Sequence, residues 1–193
     1  MKYQTFLERQ HFSASELTAI ADGTLIDDLP ADGVPTLPAS PMLMFDRVVE
    51  IVRNGSQGRI VAEQDIRSDA WFFQCHFKND PVQPGCLGVD AIWQLLGLYA
   101  AARGARGAGR ALGAKEIEFS GQIRPHHRLV RYEVSVRRYA ELPASRSAVV
   151  VGNGEVLVDG ASIYTVRDAR VGVFTGIRYD EELREGQPGV AVP

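Results

Sequence analysis

At 193 residues, 45% apolar and 23% charged, the chain has the size of one domain and the composition of an ordinary globular protein. Its formal net charge of −3 argues against nucleic acid as the main partner, because a phosphate backbone attracts a basic surplus. Cys75 and Cys86 match neither a disulfide framework nor a paired zinc motif, and the polar first ten residues do not resemble a signal peptide. These features predict a cytoplasmic protein.

The first 41 residues predict one short helix followed by an irregular connector. Ser13 and Glu16 have the spacing of a capping box, with Leu17 and Ile20 on one face of the helix that follows. Four prolines between residues 29 and 41 remove backbone donors, so we expect a loop over the surface there.

From Met42 onward the pattern is typical of antiparallel strands. MLMFDRVVEIV and GRIVAEQDI flank the turn signal Asn54-Gly55 and predict a β-hairpin. WFFQCHF, residues 71–77, is too aromatic for a solvated loop and too short for a helix of its own. NDPVQPG follows and predicts an ordered, irregular lead into the next element.

That element is a helix from about Pro84 to Arg103. Apolar side chains lie all around it, so we expect it to be enclosed on most sides. Its apolar stretch, residues 86–102, is at the short end of a membrane span and contains Asp90. We therefore expect a buried core helix and no membrane partner.

Beyond the glycine-rich residues 103–110, the chain returns to strand patterns. ALGAKEIEFSG predicts one strand, and LVRYEVSVRRY alternates apolar and polar side chains along a second. Asp159-Gly160 predicts a hairpin between the last two strands, and Gly152 with Gly154 suggests a bulge.

Together these patterns predict an α+β chain in which five or six antiparallel strands surround one long helix. Because one sheet covers only part of such a helix, we expect a homodimer. We expect residues 1–193 to form a single domain, with an N-terminal helix and connector at 1–41, a core at 42–175 and a peripheral tail at 176–193.

Two titratable residues could act as a base and an acid. His76 follows an aromatic run, and desolvation favours the neutral imidazole that accepts a proton. Asp90 lies one turn or so into the helix, where burial among Leu87, Val89 and Ile92 would raise its pKa and keep it protonated. A neutral base and a protonated acid at one cavity are what removal of water from a β-hydroxy carbonyl compound requires.

The start of the helix could stabilise negative charge. The N–H groups near Gly85, Cys86 and Leu87 lack intrahelical partners and lie at the positive end of the helix dipole. A thioester oxygen bound there would be stabilised as its charge develops, and Gly85 has no side chain to block the approach.

Each of these residues also has a structural explanation. His76 could be a hydrogen-bonded core residue, Asp90 could only complement the helix dipole, and Gly85 could serve the turn after Pro84. The spacings fit no common zinc pattern, so we expect no metal. Cys86 as a nucleophile with His76 as its base is a further alternative.

Several long motifs resemble one bacterial enzyme family. WFFQCHFKNDPVQPGCLGVDAIWQLLG resembles the active-site segment of the 3-hydroxydecanoyl-acyl-carrier-protein dehydratase/isomerase. The resemblance continues through PMLMFDRVV, GRALGAKEIEFSGQI and GEVLVDGASIYT, in the right order, and covers residues 36–175. It implies a hot-dog fold, with a sheet wrapped around a long central helix, assembled as a homodimer without metal or dissociable cofactor.

The resemblance also implies roles for individual residues. The histidine matching His76 comes from one subunit and the aspartate matching Asp90 from the other. The glycine matching Gly85, next to Cys86, offers its N–H to the thioester carbonyl, and the valine matching Val82 supplies a backbone carbonyl that orients the histidine. The implied reaction is dehydration of (3R)-3-hydroxyacyl thioesters to trans-2-enoyl thioesters in fatty acid biosynthesis, with isomerisation of the trans-2-decenoyl to the cis-3-decenoyl thioester.

Further residues are expected to contact the acyl chain or the acyl carrier protein that holds it through phosphopantetheine. Phe77, Gln83, Trp93 and Gln94 would line the acyl tunnel, although an apolar residue is expected at Gln83. Because the carrier is acidic, basic side chains should steer it towards the site. The candidates are Arg137, Arg138 and Arg146, with Arg124 and Arg128 behind them.

Other functions stay open at this level. A related group of dehydratases without isomerase activity places glutamate where Asp90 stands. A thioesterase on the same fold would need a carboxylate that activates water, and it would release a free thiol. A lipid-binding module would explain the apolar helix, and it predicts binding without turnover.

Overall fold

The computed structural model describes residues 1–177. Its helices are α1 (Tyr3–Glu8), α2 (Ala14–Ala21), α3 (Trp71–Cys75) and α4 (Gly85–Ala102). Its strands are β1 (Arg47–Asn54), β2 (Gln57–Asp65), β3 (Ala108–Gly113), β4 (Glu116–Phe119), β5 (Leu129–Leu142), β6 (Ser147–Val158) and β7 (Ala161–Phe174). The predicted C-terminal tail begins at residue 176 and lies almost entirely outside the described residues.

The strands form one antiparallel sheet in the order β1-β2-β5-β6-β7-β3, with β4 also paired to β7. The central strands are long, 14 residues in β5 and β7 and 12 in β6. Helix α4 lies on one face of this sheet and contacts β2, β3, β5, β6 and β7. This is the α+β arrangement of sheet around helix that the sequence predicted.

Helix α4 is the centre of the hydrophobic core. By length and apolar composition it could cross a membrane, but 13 of its 18 residues are buried against the protein, as in a core helix. Ile92, Leu95, Leu96 and Tyr99 are inaccessible to solvent. The Tyr99 hydroxyl donates to the Gln57 carbonyl oxygen (2.9 Å), so its polar end is satisfied inside the core.

Two glycines of β6 let the sheet approach α4 closely. A side chain at Gly154 would lie 2.7 Å from Ile92, and one at Gly152 would lie 3.0 Å from Leu96. The pairing of β6 with β7 shifts register between these glycines, which confirms the predicted bulge. The Asp159-Gly160 hairpin is also confirmed, with positive φ at both residues.

The N-terminal segment packs against the same core. Helix α2 begins with the predicted capping box, in which Ser13 Oγ accepts from the Glu16 N–H and the Glu16 carboxylate accepts from the Ser13 N–H. Helix α1 was not expected, because residues 1–10 are polar in sequence. Phe6 on α1 is nevertheless fully buried and packs against the core with Phe12.

Several local predictions were wrong. WFFQC forms the short helix α3, because the burial of Phe72 and Phe73 stabilises five residues that would not be helical alone. The segment predicted as one strand divides into β3 and β4 at Gly113, where φ is +126° and the pairing with β7 is interrupted. This division gives seven strands instead of five or six.

The turn of the first hairpin and both ends of α4, which stops at Ala102, differ from the predicted positions by one residue. In the first hairpin, Asn54 still pairs with Gln57, so the turn is Gly55-Ser56. Pro84 is the N-cap residue of α4, and the first helical residue is Gly85.

Candidate active site

A cavity of about 1020 Å³ lies between the loop after α3, the first turns of α4, and strands β4 and β7. The loop contributes His76, Phe77, Val82 and Gln83, and α4 contributes Gly85, Cys86, Val89 and Trp93. The opposite wall consists of Ile117, Phe119, residues 120–122 and Tyr164. The structure therefore brings His76 and the start of α4 to one space, as the sequence predicted.

His76 is held by a closed loop. Its N–H donates to the Phe72 carbonyl oxygen at the end of α3, and its carbonyl oxygen accepts from the Val82 N–H (both 2.8 Å). Within the loop, Phe77 and Asp80 exchange backbone hydrogen bonds, and the Asp80 carboxylate accepts from Arg124 (2.6 Å). The loop is thus attached at both ends and at its tip.

The hydrogen bond of the His76 ring defines its tautomer. Nδ1 lies 3.0 Å from the Val82 carbonyl oxygen, and a carbonyl can only accept, so Nδ1 carries the proton. Nε2 of the neutral ring is then a free acceptor. The ring stacks on Phe77, with centroids 4.0 Å apart. The predicted orienting role of Val82 has its geometric counterpart here.

The N-terminus of α4 opens into the same cavity. Pro84 offers no side-chain cap, so the N–H groups of Gly85 and Cys86 are available to a ligand. The Leu87 N–H, which was expected to be free, donates to the Pro84 carbonyl oxygen (3.0 Å). A side chain at Gly85 would lie 2.6 Å from the Phe119 ring. Gly85 is therefore required by packing as well as by access to the backbone. The Cys86 side chain is exposed beside it.

Asp90 does not line this cavity within its own chain, although Cys86 and Trp93, one turn away on the same face of α4, do. We expected Asp90 to be buried among Leu87, Val89 and Ile92. In the structure it is only half-buried, because these three residues are buried on other sides of the helix. Its Oδ2 accepts from Gln94 Nε2 (2.6 Å).

Gln94 occupies a position that differs from the one expected for it. It does not line the cavity but connects Asp90 to the segment before β1. Its Nε2 also donates to the Met42 carbonyl oxygen (2.8 Å), and its Oε1 accepts from the Met44 N–H (3.1 Å). Gln94 thus holds Asp90 in place, whereas Phe77, Gln83 and Trp93 line the cavity, and their contact with an acyl chain stays a prediction.

One face of α4 is open in the single chain. Cys86, Asp90, Trp93 and Gly97 follow one another at helical spacing, and none is fully buried. The edge of the sheet beside it exposes Leu112, Ile117 and Phe119, which are 48%, 40% and 51% exposed. The open helix face and this edge form a partly apolar surface next to the cavity, which we call the open face.

The three arginines proposed for carrier docking lie elsewhere. Arg146 donates to Asp32 (2.5 Å) and lines a small pocket with residues 104–106, at the far end of α4 from His76. Arg137 forms an ion pair with Asp168, and Arg138 is exposed on β5. Arg124 is the basic residue attached to the His76 loop.

The sequence analysis did not identify the far wall of the cavity. Phe119 and Tyr164 meet edge to face, with centroids 4.8 Å apart, and close the space opposite α4. Burial raises the pKa of the Tyr164 hydroxyl. Both residues lie within motifs that carried the resemblance, but only strand pairing brings them together.

Solved structures that are similar to this one include proteins named as dehydratases and one named as a hypothetical thioesterase. The dehydratase heterocomplex ApeI:P from Xenorhabdus doucetiae is 11% identical, over 77% of this chain and 92% of that one, with a TM-score of 0.51. A hypothetical thioesterase with coenzyme A from Streptococcus pneumoniae (13%, 67% and 88%, TM-score 0.46) and a MaoC-like dehydratase from Rhodospirillum rubrum (15%, 65% and 96%, TM-score 0.44) are also similar. At such identities the likeness concerns the fold alone.

The sequence itself gives the family. The model of the FabA-like domain matches residues 37–167, more than half of the chain, from the connector before β1 into β7. This range contains the whole cavity, the loop that holds His76 and all of α4. The chain therefore has the hot-dog fold and belongs to the FabA-like domain family.

Proposed function

We propose that the protein is a dehydratase of 3-hydroxyacyl thioesters carried on acyl carrier protein. The observation that carries this proposal is the His76 ring, which lines the cavity beside the uncapped start of α4 and directs its Nδ1 proton to Val82, so that Nε2 is the nitrogen left to accept a proton. A base and an anion-stabilising helix end facing one apolar cavity suit proton abstraction next to a thioester carbonyl.

The proposed reaction needs no added reactant. His76 Nε2 takes a proton from C2, and the electron pair moves onto the thioester oxygen, where the Gly85 N–H stabilises it. As the enolate returns its electrons, the C2–C3 double bond forms and the C3–O bond breaks. Asp90 gives its proton to the departing hydroxyl, so water and a trans-2-enoyl thioester leave.

Asp90 can take part only if a second copy brings it to His76. Within one chain Asp90 lies on the open face, and His76 lines the cavity whereas Asp90 does not. A homodimer joined through the open face would cover the exposed apolar edge and the uncovered side of α4. We propose that each site combines His76 of one subunit with Asp90 of the other.

We propose isomerisation as a second activity of the same base. After the enoyl thioester forms, His76 would remove a proton from C4 and return one at C2, which converts the trans-2 to the cis-3 isomer. Product analysis of 3-hydroxydecanoyl carrier protein by mass spectrometry tests this step: cis-3-decenoyl product supports it, and trans-2 product alone contradicts it.

The carrier protein is proposed as the partner that delivers the substrate. Docking through Arg137, Arg138 and Arg146 stays a prediction, and Arg124 is the candidate nearest to the cavity of its own chain. Carrier-dependent turnover of Arg124→Glu at low salt, compared with turnover of a short thioester without carrier, separates docking from chemistry.

The central test is hydration of a trans-2-decenoyl thioester, the reverse reaction, followed by loss of enoyl absorbance. His76→Ala and Asp90→Asn should each lower the rate at least about a thousandfold, because each removes a proton-transfer group. His126→Ala and Asp69→Asn make the same changes at exposed positions and should remain active. Full activity of His76→Ala, or release of free thiol in place of hydration, would refute the proposal, and the second result would indicate a thioesterase.

A further inference from the structure

Residues 77–80 form the tip of the loop that holds His76, and we call them the loop tip. All of them are exposed, and Phe77 is 57% exposed. Phe77 and Asp80 exchange backbone hydrogen bonds (3.0 and 3.1 Å), so the loop tip is a tight turn that is closed on itself. Because few apolar contacts bury it, the position of the loop tip depends on polar contacts with the rest of the protein.

One side-chain hydrogen bond connects the loop tip to a distant segment. Arg124 Nη1 donates to Asp80 Oδ1 (2.6 Å), across 44 positions of the chain. Within residues 1–177 it is the only side-chain hydrogen bond that the loop tip makes. Since both partners are charged, it is stronger than a hydrogen bond between neutral groups. The Arg124 guanidinium is therefore the group that fixes the loop tip.

Arg124 is itself held by its neighbours. Its Nε and Nη2 both donate to Gln122 Oε1 (3.1 and 2.7 Å), and its backbone N–H donates to His127 Nδ1 (2.9 Å). The adjacent Ile123 is fully buried, and its carbonyl oxygen accepts from the Gln83 N–H just after the loop (2.9 Å). The segment 122–124 is thus a fixed support that contacts the loop at its tip and at its end.

The loop tip is coupled to His76 through Phe77. The two rings stack with their centroids 4.0 Å apart, and the two residues are adjacent in the chain. A loop tip that is free to move would carry the Phe77 ring with it, and the imidazole would lose the surface against which it rests. Nε2 would then point in a range of directions, and a misplacement of about 1 Å can lower a rate about a hundredfold.

We propose that Arg124 is a positioning residue of the active site, which acts on His76 through Asp80 and the loop tip. This inference rests on the proposed dehydratase activity. It gives Arg124 a role other than carrier docking, since the guanidinium is already used by Asp80 and Gln122. The side chains of Arg124 and Asp80 are 32% and 61% exposed, so their ion pair contributes little to the stability of the fold. Its loss should therefore change catalysis more than stability.

The test measures kcat and KM for hydration of a trans-2-decenoyl N-acetylcysteamine thioester, which involves no carrier protein. We expect Arg124→Met and Asp80→Asn each to lower kcat about 10–100-fold, with less than about a twofold change in KM and a nearly unchanged urea midpoint. Arg167→Met is the matched control, because it breaks an exposed ion pair with Glu116 and lies on the outer side of the sheet beside Glu133. It should retain wild-type kcat.

Two further variants separate positioning from a general effect on the loop. Arg124→Lys keeps a positive charge within reach of Asp80 and should recover part of kcat, which a change in packing alone would not produce. Because both single substitutions remove the same contact, the double variant Arg124→Met/Asp80→Asn should be no slower than the slower of the two single variants.

The outcomes separate this inference from the proposed function. If the wild-type protein does not hydrate the thioester, the dehydratase proposal fails and the inference fails with it. If the wild type is active and Arg124→Met keeps wild-type kcat, the dehydratase proposal stands and the positioning role is wrong. Losses that multiply in the double variant, or a loss confined to carrier-bound substrate, would also overturn the inference, and the second result would assign Arg124 to carrier docking.

Discussion

The chemistry assigned to His76 depends on a backbone group and on the loop that holds it. The Val82 carbonyl directs the proton to Nδ1, and the Val82 N–H closes the loop on the His76 carbonyl. Neither contact uses the Val82 side chain. The loop geometry therefore matters more for the base than the identity of residue 82, and changes that open the loop at Asp80 should affect the base from a distance.

Gln94 offers a prediction about how Asp90 is positioned. Gln94→Met removes the donor to Asp90 Oδ2 and the acceptor for the Met44 N–H. We expect kcat to fall about 10–100-fold with little change in KM, because a carboxyl group that is free to turn is misplaced for proton transfer. Steady-state kinetics of enoyl thioester hydration measures both constants.

The same variant distinguishes positioning from general instability. Loss of the Met44 contact should lower the free energy of unfolding by about 1–3 kcal/mol, which urea denaturation measures. Gln94→Glu keeps an acceptor for Met44 and so should recover part of that stability but not kcat, since it places a carboxylate against Asp90. Wild-type kcat in Gln94→Met would show that Gln94 has no positioning role.

The sequence was informative about residues that act through local structure. His76, Val82 and Gly85 lie within ten residues of one another, so one motif carries their relation. Gln94 holds Asp90 against Met42 and Met44, about 50 residues away, and local spacing does not predict such a contact. This distance explains why Gln94 was expected in the tunnel.

At the level of elements, β6 and α4 approach each other closely at Gly154. Gly154→Ala would place a methyl group 2.7 Å from Ile92, and both residues are held by the core. We expect a loss of about 1–3 kcal/mol in the free energy of unfolding, because an overpacked core must shift the helix or the strand. Gly109→Ala on β3, where the new atom meets only an ordinary contact, is the matched control.

A second substitution tests whether the contact with Ile92 is the cause. Ile92→Ala alone leaves a cavity and should cost about 2–5 kcal/mol. In the double variant the new methyl occupies part of that cavity, so the combined loss should be smaller than the sum of the two. Additive losses in urea denaturation would contradict direct contact between the two side chains.

Carboxylates on the outer side of the sheet make a prediction about pH. The pKa of Glu133 lies below its usual value because Arg131 donates to it, and Arg59 adds to the effect. A carboxylate with a lowered pKa in the folded protein stabilises the fold above its unfolded pKa of about 4.3 and loses this effect as pH falls through the folded value. Urea midpoints of wild type and Glu133→Gln should therefore differ at pH 7 and converge below about pH 4. A difference that stays constant with pH would contradict the pairing.

Element prediction succeeded where one pattern decides the structure and failed where tertiary contacts decide it. The capping box at Ser13 and the Asp159-Gly160 turn are local signals, and both are present. Helix α3 exists because the core accepts Phe72 and Phe73, and β3 and β4 separate because β7 pairs with each of them independently. Neither the helix α3 nor the separation of β3 from β4 produces a periodic pattern of apolar residues in the sequence.

For the whole molecule, the proposed mechanism implies that the single chain is incomplete as a catalyst. The cavity contains the base and the helix end, while Asp90 faces outwards on the open face beside Leu112, Ile117 and Phe119. The sequence led to a homodimer through the same reasoning, since a helix apolar on all sides needs more cover than one sheet provides. A Cβ atom at Gly97 would meet nothing within 4 Å in the single chain, so Gly97→Arg should prevent assembly without harming the fold.

A mixture of two inactive variants tests the shared site directly. In a heterodimer of His76→Ala and Asp90→Asn subunits, one of the two sites lacks both groups and the other retains both, because it takes His76 from one subunit and Asp90 from the other. Random assembly yields half heterodimers, so co-expression should restore about a quarter of wild-type hydration activity, while each variant alone stays inactive. If each chain built its own site, every site in the mixture would lack one group, and no activity would return. The Gly97→Arg change introduced into both variants should abolish the recovery, since it separates the subunits that complement each other.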